Sequence, residues 1–166
     1  MLTKVSKYQD INRVLLYNSV SSDIQEKVDK DKYEIWYMSY NAEPKDWYRV
    51  DKFLHKVPFD QVADVYNQCD ILLKTSYLES FSYPPLEMMA TGGYAVVVPN
   101  DGNKEYLCHE ENCLLYPQGE IEEGLNAIYR ICEDAELRER LYEGGMRTAK
   151  SRDWDALRAD ILKFYD

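Results

Sequence analysis

The sequence predicts an α/β fold, a parallel sheet with helices on both faces. Two observations predict it. Short, nearly continuous apolar runs recur along the chain, as strands buried on both faces require. Between them lie segments with apolar residues at helical spacing. Strands alternating with helices build a parallel sheet through right-handed crossovers.

The elements follow in order. Arg13–Val20 (RVLLYNSV) is the first strand, with a helix after it. Ile11–Val28 also fits one long helix, because Leu16, Val20, Ile24 and Val28 are spaced by four; strand then helix is the preferred reading. Tyr33–Tyr40 (YEIWYMSY), rich in aromatic and β-favouring residues, is the second strand. Asn41–Tyr48 is polar, contains Pro44 and reads as a loop. Arg49–Leu54 is a weaker third strand. Pro58 suits a first helical turn, and Val62, Val65, Tyr66 and Cys69 continue at helical spacing. Asp70–Thr75 is the fourth strand. Pro84 and Pro85 start a helix that packs Met88 and Met89 into the core and ends at Gly92-Gly93. Tyr94–Pro99 and Asn112–Tyr116 are the fifth and sixth strands. Ile121, Leu125, Ile128 and Cys132 form a one-sided stripe. Asp134 caps the next helix, and Gly144-Gly145 is expected to end it. A last helix starts near Asp153 and is expected to bury Leu157, Ile161 and Phe164. No internal repeat or linker is visible, so residues 1–166 read as one domain.

Composition narrows the function. The 166 residues are 45% hydrophobic and 13% aromatic, which excludes a disordered chain. Twenty Lys+Arg stand against 30 Asp+Glu, a formal charge of −10, with no basic run to neutralise phosphates, so nucleic acid is not an expected partner. No apolar run is long enough to span a membrane, and the N-terminus lacks a signal peptide's apolar core. Cys69, Cys108, Cys113 and Cys132 form no C-x-x-C and read as reduced thiols of a cytoplasmic protein. Cys108, His109 and Cys113 carry donor atoms for zinc, but the plain thiol reading is preferred and no metal is expected.

In an open α/β sheet, ligands bind at the carboxyl ends of the strands, beside the switch in strand order. The loop after the fourth strand, Ser76 to Glu87, is therefore the first candidate. Ser80 and Ser82 are small and leave backbone amides accessible. The helix begun by Pro84 and Pro85 offers unpaired N–H groups and a positive dipole end, which suit a phosphate. Glu87, about one turn in, has two acceptor oxygens for a sugar's paired hydroxyls. Glu79 lies on the approach to the same spot. Carboxylate, amides and carboxylate around one cavity fit a sugar diphosphate better than a metal; the alternative is that both are solvated helix-entry charges. His55 ends the third strand on the site's side of the sheet, and His109 sits in a charged turn. Asp153-Trp-Asp155 imitates a D-x-D metal motif but opens the last helix, where capping is the preferred reading.

ESFSYPPLE is an E-x7-E motif. With Asn67–Leu73 before it, and Met88–Gly93, Tyr94–Val98, Gly102–Glu105, Glu111–Tyr116 and Leu137–Leu141 after it, the chain from about Tyr33 onward resembles the C-terminal, donor-binding domain of GT-B retaining glycosyltransferases. The wording Ser-Tyr-Pro-Pro-Leu-Glu-Met is similar to bacterial rhamnosyltransferases of that family. The resemblance implies a Rossmann-like half of a GT-B fold and a nucleotide-diphosphate sugar as substrate, with no cofactor. It matches Glu79 to the catalytic-side carboxylate that faces the donor sugar and its leaving diphosphate. It matches Ser80, Phe81 and Ser82 to the stretch whose backbone contacts sugar hydroxyls, Tyr83 and Pro84 to residues beside the diphosphate, and Glu87 to the carboxylate that holds the ribose.

Two departures stand out. Ser80 and Ser82 replace the family's usual glycines, which predicts a tighter pocket. Asn18-Ser19-Val20-Ser21 stands where the family has Gly-Arg and, a few residues on, Lys, the cations that reach the diphosphate. Lys74 is the candidate substitute; the alternative is a strand-end lysine in solvent. A GT-B enzyme closes two domains over a cleft, so the resemblance implies an N-terminal acceptor-binding domain, in a longer parent protein or a partner chain, and no transfer by this half alone. Polysaccharide or glycoprotein glycan assembly is the implied role, compatible with peripheral membrane association through the parent. The rival is a non-enzymatic GT-B-like module that stabilises a partner glycosyltransferase. Because the two carboxylates are expected to face a cleft, Glu79→Gln and Glu87→Gln are expected to leave stability unchanged.

Overall fold

The structure, a computed structural model, describes residues 11–17, 27–45, 48–76 and 78–165. Parallel strands β1 (Arg13–Tyr17), β2 (Glu34–Ser39), β3 (Lys52–His55), β4 (Ile71–Lys74), β5 (Tyr94–Val97) and β6 (Leu114–Leu115) form one sheet in the order β3-β2-β1-β4-β5-β6. Around it lie α1 (Phe59–Gln68), α2 (Tyr83–Ala90), α3 (Ile121–Glu133), α4 (Ala135–Lys150) and α5 (Trp154–Tyr165). The expected Rossmann-like architecture is present, and its switch point falls between β1 and β4.

Side-chain alternation explains why both faces need cover. Val14, Leu16, Ile35, Tyr37, Ile71 and Leu73 point to one side, where α3 and the start of α4 supply Leu125, Ile128, Ile131, Leu137 and Leu141. Leu15, Trp36, Met38 and Leu72 point to the other, against Val62, Val65 and Tyr66 of α1 and Met88 of α2. Burying each aliphatic side chain contributes roughly 2 kcal/mol. The central strands start level because Asp70 accepts hydrogen bonds from the Asn12 and Arg13 amides at 3.1 and 3.0 Å. That carboxylate ties β4 to β1, which is why an aspartate opens the strand.

Four sequence expectations need correction. β3 runs Lys52–His55 rather than Arg49–Leu54, because its register is set by pairing with β2, Trp36 opposite Lys52. Pro58 caps α1 instead of occupying its first turn. α4 continues through Gly144-Gly145 to Lys150. A Cβ on Gly144 would stand 1.9 Å from the Glu111 carbonyl oxygen, so the glycine lets helix and β5–β6 loop touch rather than ending the helix. Finally, α5 buries none of its residues: Phe164 is 83% exposed and Leu157 37%. Arg13–Tyr17 is strand, so the single-helix reading of Ile11–Val28 fails there; the helix after β1 and Asn18–Ser21 lie outside the described residues. Among the described residues no helix is long and apolar enough to cross a membrane.

The close approach at Gly144 carries a prediction. Gly144→Ala is expected to lower stability by about 2 kcal/mol, since backbone has to move. Gly145→Ala should cost less, because its nearest neighbour is the flexible Met89 side chain at 3.1 Å and alanine favours helix. Urea midpoints of the two variants check this; equal midpoints contradict the packing account.

Candidate functional site

β4 ends at the switch point, and the chain leaves it through Thr75 and Ser76 toward Glu79 and α2. Lys74, the last residue of β4, has no exposed surface. Its Nζ donates to Glu79 Oε1 at 2.6 Å and to Ser76 Oγ at 3.1 Å. The solvent reading of Lys74 is therefore corrected, and Glu79, with 26% of its side chain exposed, is no free helix-entry charge.

The β5 side fixes the backbone of this loop. Asn100 donates from Nδ2 to the Ser76 carbonyl at 3.2 Å and accepts at Oδ1 from the Gly102 amide at 3.0 Å. Gly102 then lies under the loop: a Cβ there would meet the Glu79 carbonyl oxygen at 2.6 Å and Ser80 backbone atoms at 2.9 Å. The glycine is required by this approach.

Ser80 is exposed at the bend. Phe81 packs edge-on against Tyr83, 4.8 Å between ring centres, and tilts against Tyr106 at 5.6 Å. Ser82 occupies the N-cap position of α2 without a side-chain capping bond: its side chain is fully buried and its Oγ has no hydrogen-bond partner among the described residues. The Tyr106 hydroxyl donates to the Ser82 carbonyl, anchoring the loop just before the helix. Tyr83 is 63% exposed, and Pro84 and Pro85 are buried in the first turn. Prolines there sacrifice no helical hydrogen bond. The remaining early amides of α2 carry the positive end of its dipole.

Glu87, one turn in, is partly buried, and burial raises its carboxyl above the ordinary range while the facing Tyr66 hydroxyl pulls it back by less. Tyr17 at the end of β1 lies within electrostatic reach of both carboxylates. Its hydroxyl is pushed up to about 12, first by burial, then by Tyr40, Glu87 and Glu79. Tyr40 is raised as well, by burial and then Glu87, and its hydroxyl donates to the Val57 carbonyl at 3.1 Å. Tyr17, Tyr40 and Tyr66 stand beside the candidate carboxylates, and the sequence reading did not single them out. Each ends or faces an element at the carboxyl edge of the sheet, which is the signal that points to them. Two hollows flank Glu87: one of about 250 Å³ toward Tyr66 and α1, and one of about 550 Å³ along α2 and α5 beside Tyr83, Arg152 and Trp154.

The other candidates lie apart. His55 closes β3 with Nδ1 3.4 Å from Glu43. His109 accepts at Nδ1 from the Leu115 amide at 3.0 Å, a structural turn. Asp153 caps α5, accepting from the Ala156 amide at 2.7 Å. Cys113 is buried, and burial pushes its thiol up to about 12, so it stays protonated. No three His, Cys, Asp or Glu side chains gather to hold a metal among the described residues.

O-antigen biosynthesis protein RfbC of Myxococcus xanthus is 32% identical over 113 residues, 66% of this chain and 8% of that protein. The fold matches Anabaena HepE in complex with UDP-glucose with TM-score 0.76 at 20% identity, over 93% of this chain and 48% of that one. It matches the C-terminal domain of the Francisella tularensis glycosyl transferase LpcC with TM-score 0.67 at 14% identity, over 85% of both chains. The chain thus spans a small part of the curated relative it matches and about half of HepE. Residues 38–148, which hold both glutamates, the loop between them and four strands of the sheet, match the model of Glycosyl transferases group 1, and the chain belongs to that family.

Proposed function

We propose that the chain is the donor-binding half of a retaining, metal-independent glycosyltransferase acting in polysaccharide or glycoprotein glycan assembly. The observation that carries this is the placement of Glu79, the first turn of α2 and Glu87 at the β1–β4 switch point, where open α/β sheets bind ligands. On this reading the sugar lies toward Glu79 and Ser80–Ser82, the diphosphate meets the amides and dipole of α2 beside Tyr83 and Pro84, and the ribose hydroxyls donate to Glu87. Amides and dipole neutralise the leaving diphosphate without a metal. HepE has been crystallised with UDP-glucose, which supports a sugar nucleotide as the ligand class here. An acceptor-binding domain, in the parent protein or a partner chain, completes the cleft.

Calorimetric titration of the folded chain with UDP, GDP and dTDP and their sugar-bearing forms tests the proposal. Binding below millimolar concentration, unchanged by EDTA and without transfer to added saccharide, is expected. A folded chain that binds none of them supports the non-enzymatic module; a Mg²⁺-dependent affinity refutes metal independence. Gly102→Ala gives a second check. It should displace the Glu79–Ser80 backbone and weaken the sugar-bearing donor about tenfold, about 1.4 kcal/mol. Unchanged affinity contradicts the role given to that loop.

A further inference from the structure

A buried lysine at the rim of this site has a task of its own. Lys74 has no exposed surface, and a buried ammonium needs a charged or strongly polar partner. It has Glu79 Oε1 at 2.6 Å and Ser76 Oγ at 3.1 Å, and the Tyr17 ring lies 5.2 Å away. Among the described residues Glu79 is the one carboxylate bonded to it. Two of the three ammonium N–H donors are taken, and with no exposed surface the third is reached by a phosphate only if the side chains that cover Nζ move. The pair also bridges a loop: Lys74 belongs to rigid β4, Glu79 to the bend whose backbone rests on Gly102. A glutamate side chain left free samples many rotamers, and fixing one in advance sharpens a binding site.

Resting on the donor reading above, we propose that Lys74 is a positioning residue. Its buried ammonium holds the Glu79 carboxylate in place for the donor sugar and does not itself contact the diphosphate. Ser76 is the second anchor of that ammonium. The role differs from a phosphate-binding cation in which ligand feels its loss.

The test uses this chain and whichever pair it binds best among UDP with UDP-glucose, GDP with GDP-mannose, and dTDP with dTDP-rhamnose. Lys74→Met is expected to bind the bare nucleoside diphosphate within about twofold of wild type and to weaken the sugar-bearing donor about tenfold. The double variant Lys74→Met/Glu79→Gln should be no weaker toward the donor than Glu79→Gln alone, because Lys74 acts through Glu79. Equal losses on both ligands would mean a phosphate contact and overturn the proposal, as would losses that add in the double variant. Nitrogen-15 spectra of the lysine ammonium in wild type keep the question open to test if Lys74→Met does not fold. The Lys74 signal should stay in place when the bare diphosphate binds; a large shift overturns the proposal. A wild-type chain that binds neither ligand overturns the donor reading itself, a result distinct from all of these.

Discussion

Glu79→Gln is expected to damage both the fold and the chemistry, and the two losses separate cleanly. The stability loss follows from Lys74. Removing the negative charge leaves a fully buried ammonium with neutral acceptors alone, Ser76 Oγ at 3.1 Å and the new amide carbonyl, and no counter-charge. Breaking a buried ion pair on one side costs roughly 3–5 kcal/mol, and the 26% exposure of the Glu79 side chain reduces this to about 2 kcal/mol. For a chain of this size that lowers Tm by about 4–8 °C. The expectation of unchanged stability, drawn from a carboxylate facing a cleft, is corrected by this pairing. Lys74→Met/Glu79→Gln should recover most of the loss, since a buried pair replaced by an apolar group and a neutral amide is tolerated. A Glu79→Gln chain as stable as wild type would show that the ion pair contributes nothing.

The chemical loss is read below the melting range, where the variant is folded. Bare nucleoside diphosphate should bind as in wild type, and the sugar-bearing donor more weakly. In the complete two-domain enzyme kcat should fall about 100-fold, about 2.7 kcal/mol, with a smaller rise in KM. The asymmetry follows from charge: the carboxylate matters most as the glycosidic bond breaks and positive character develops on the sugar. A loss in KM alone would assign Glu79 to ground-state binding.

What was legible in the sequence follows from where the information lies. Strands buried on both faces announce themselves as apolar runs, so β1, β2, β4 and β5 are readable without partners. β3 is not, because its place is set across the sheet: the Asp51 carboxylate accepts from the Ile35 amide at 2.7 Å, and no local pattern records that. Gly144 looks like a helix stop until the Glu111 carbonyl is seen against it. The stripe on α5 announces a helix, but a stripe does not say whether this chain covers it. In the site, Glu79 and Glu87 were legible from a spaced motif. The pairing of Lys74 with Glu79 was not, since four residues separate them and only the fold turns the chain back. Tyr17 ends β1, Tyr40 follows β2 and Tyr66 lies in α1, and among 15 tyrosines only that place at the carboxyl edge of the sheet singles them out.

Glu87→Gln is expected to behave in the opposite way to Glu79→Gln: weaker binding, unharmed fold. If Glu87 accepts from the ribose hydroxyls, the neutral amide should weaken every nucleotide, with or without its sugar, by about 1–3 kcal/mol. Equal losses for bare diphosphate and sugar donor are the signature that separates it from Glu79. Its effect on stability has a sign fixed by burial. Burial is the largest influence on Glu87 and raises its carboxyl, so the folded chain holds this proton to higher pH than the unfolded chain. Its contribution to stability is therefore fully present at acid pH. It is lost as pH rises through the ordinary carboxylate range toward the raised folded value. Glutamine carries no such charge. Urea unfolding should show wild type and Glu87→Gln alike in acid, with the variant gaining on wild type as pH approaches neutrality. A variant that loses stability at neutral pH would show that the ionised carboxylate holds the fold together rather than waiting for a ligand, and the ribose assignment would fall with it.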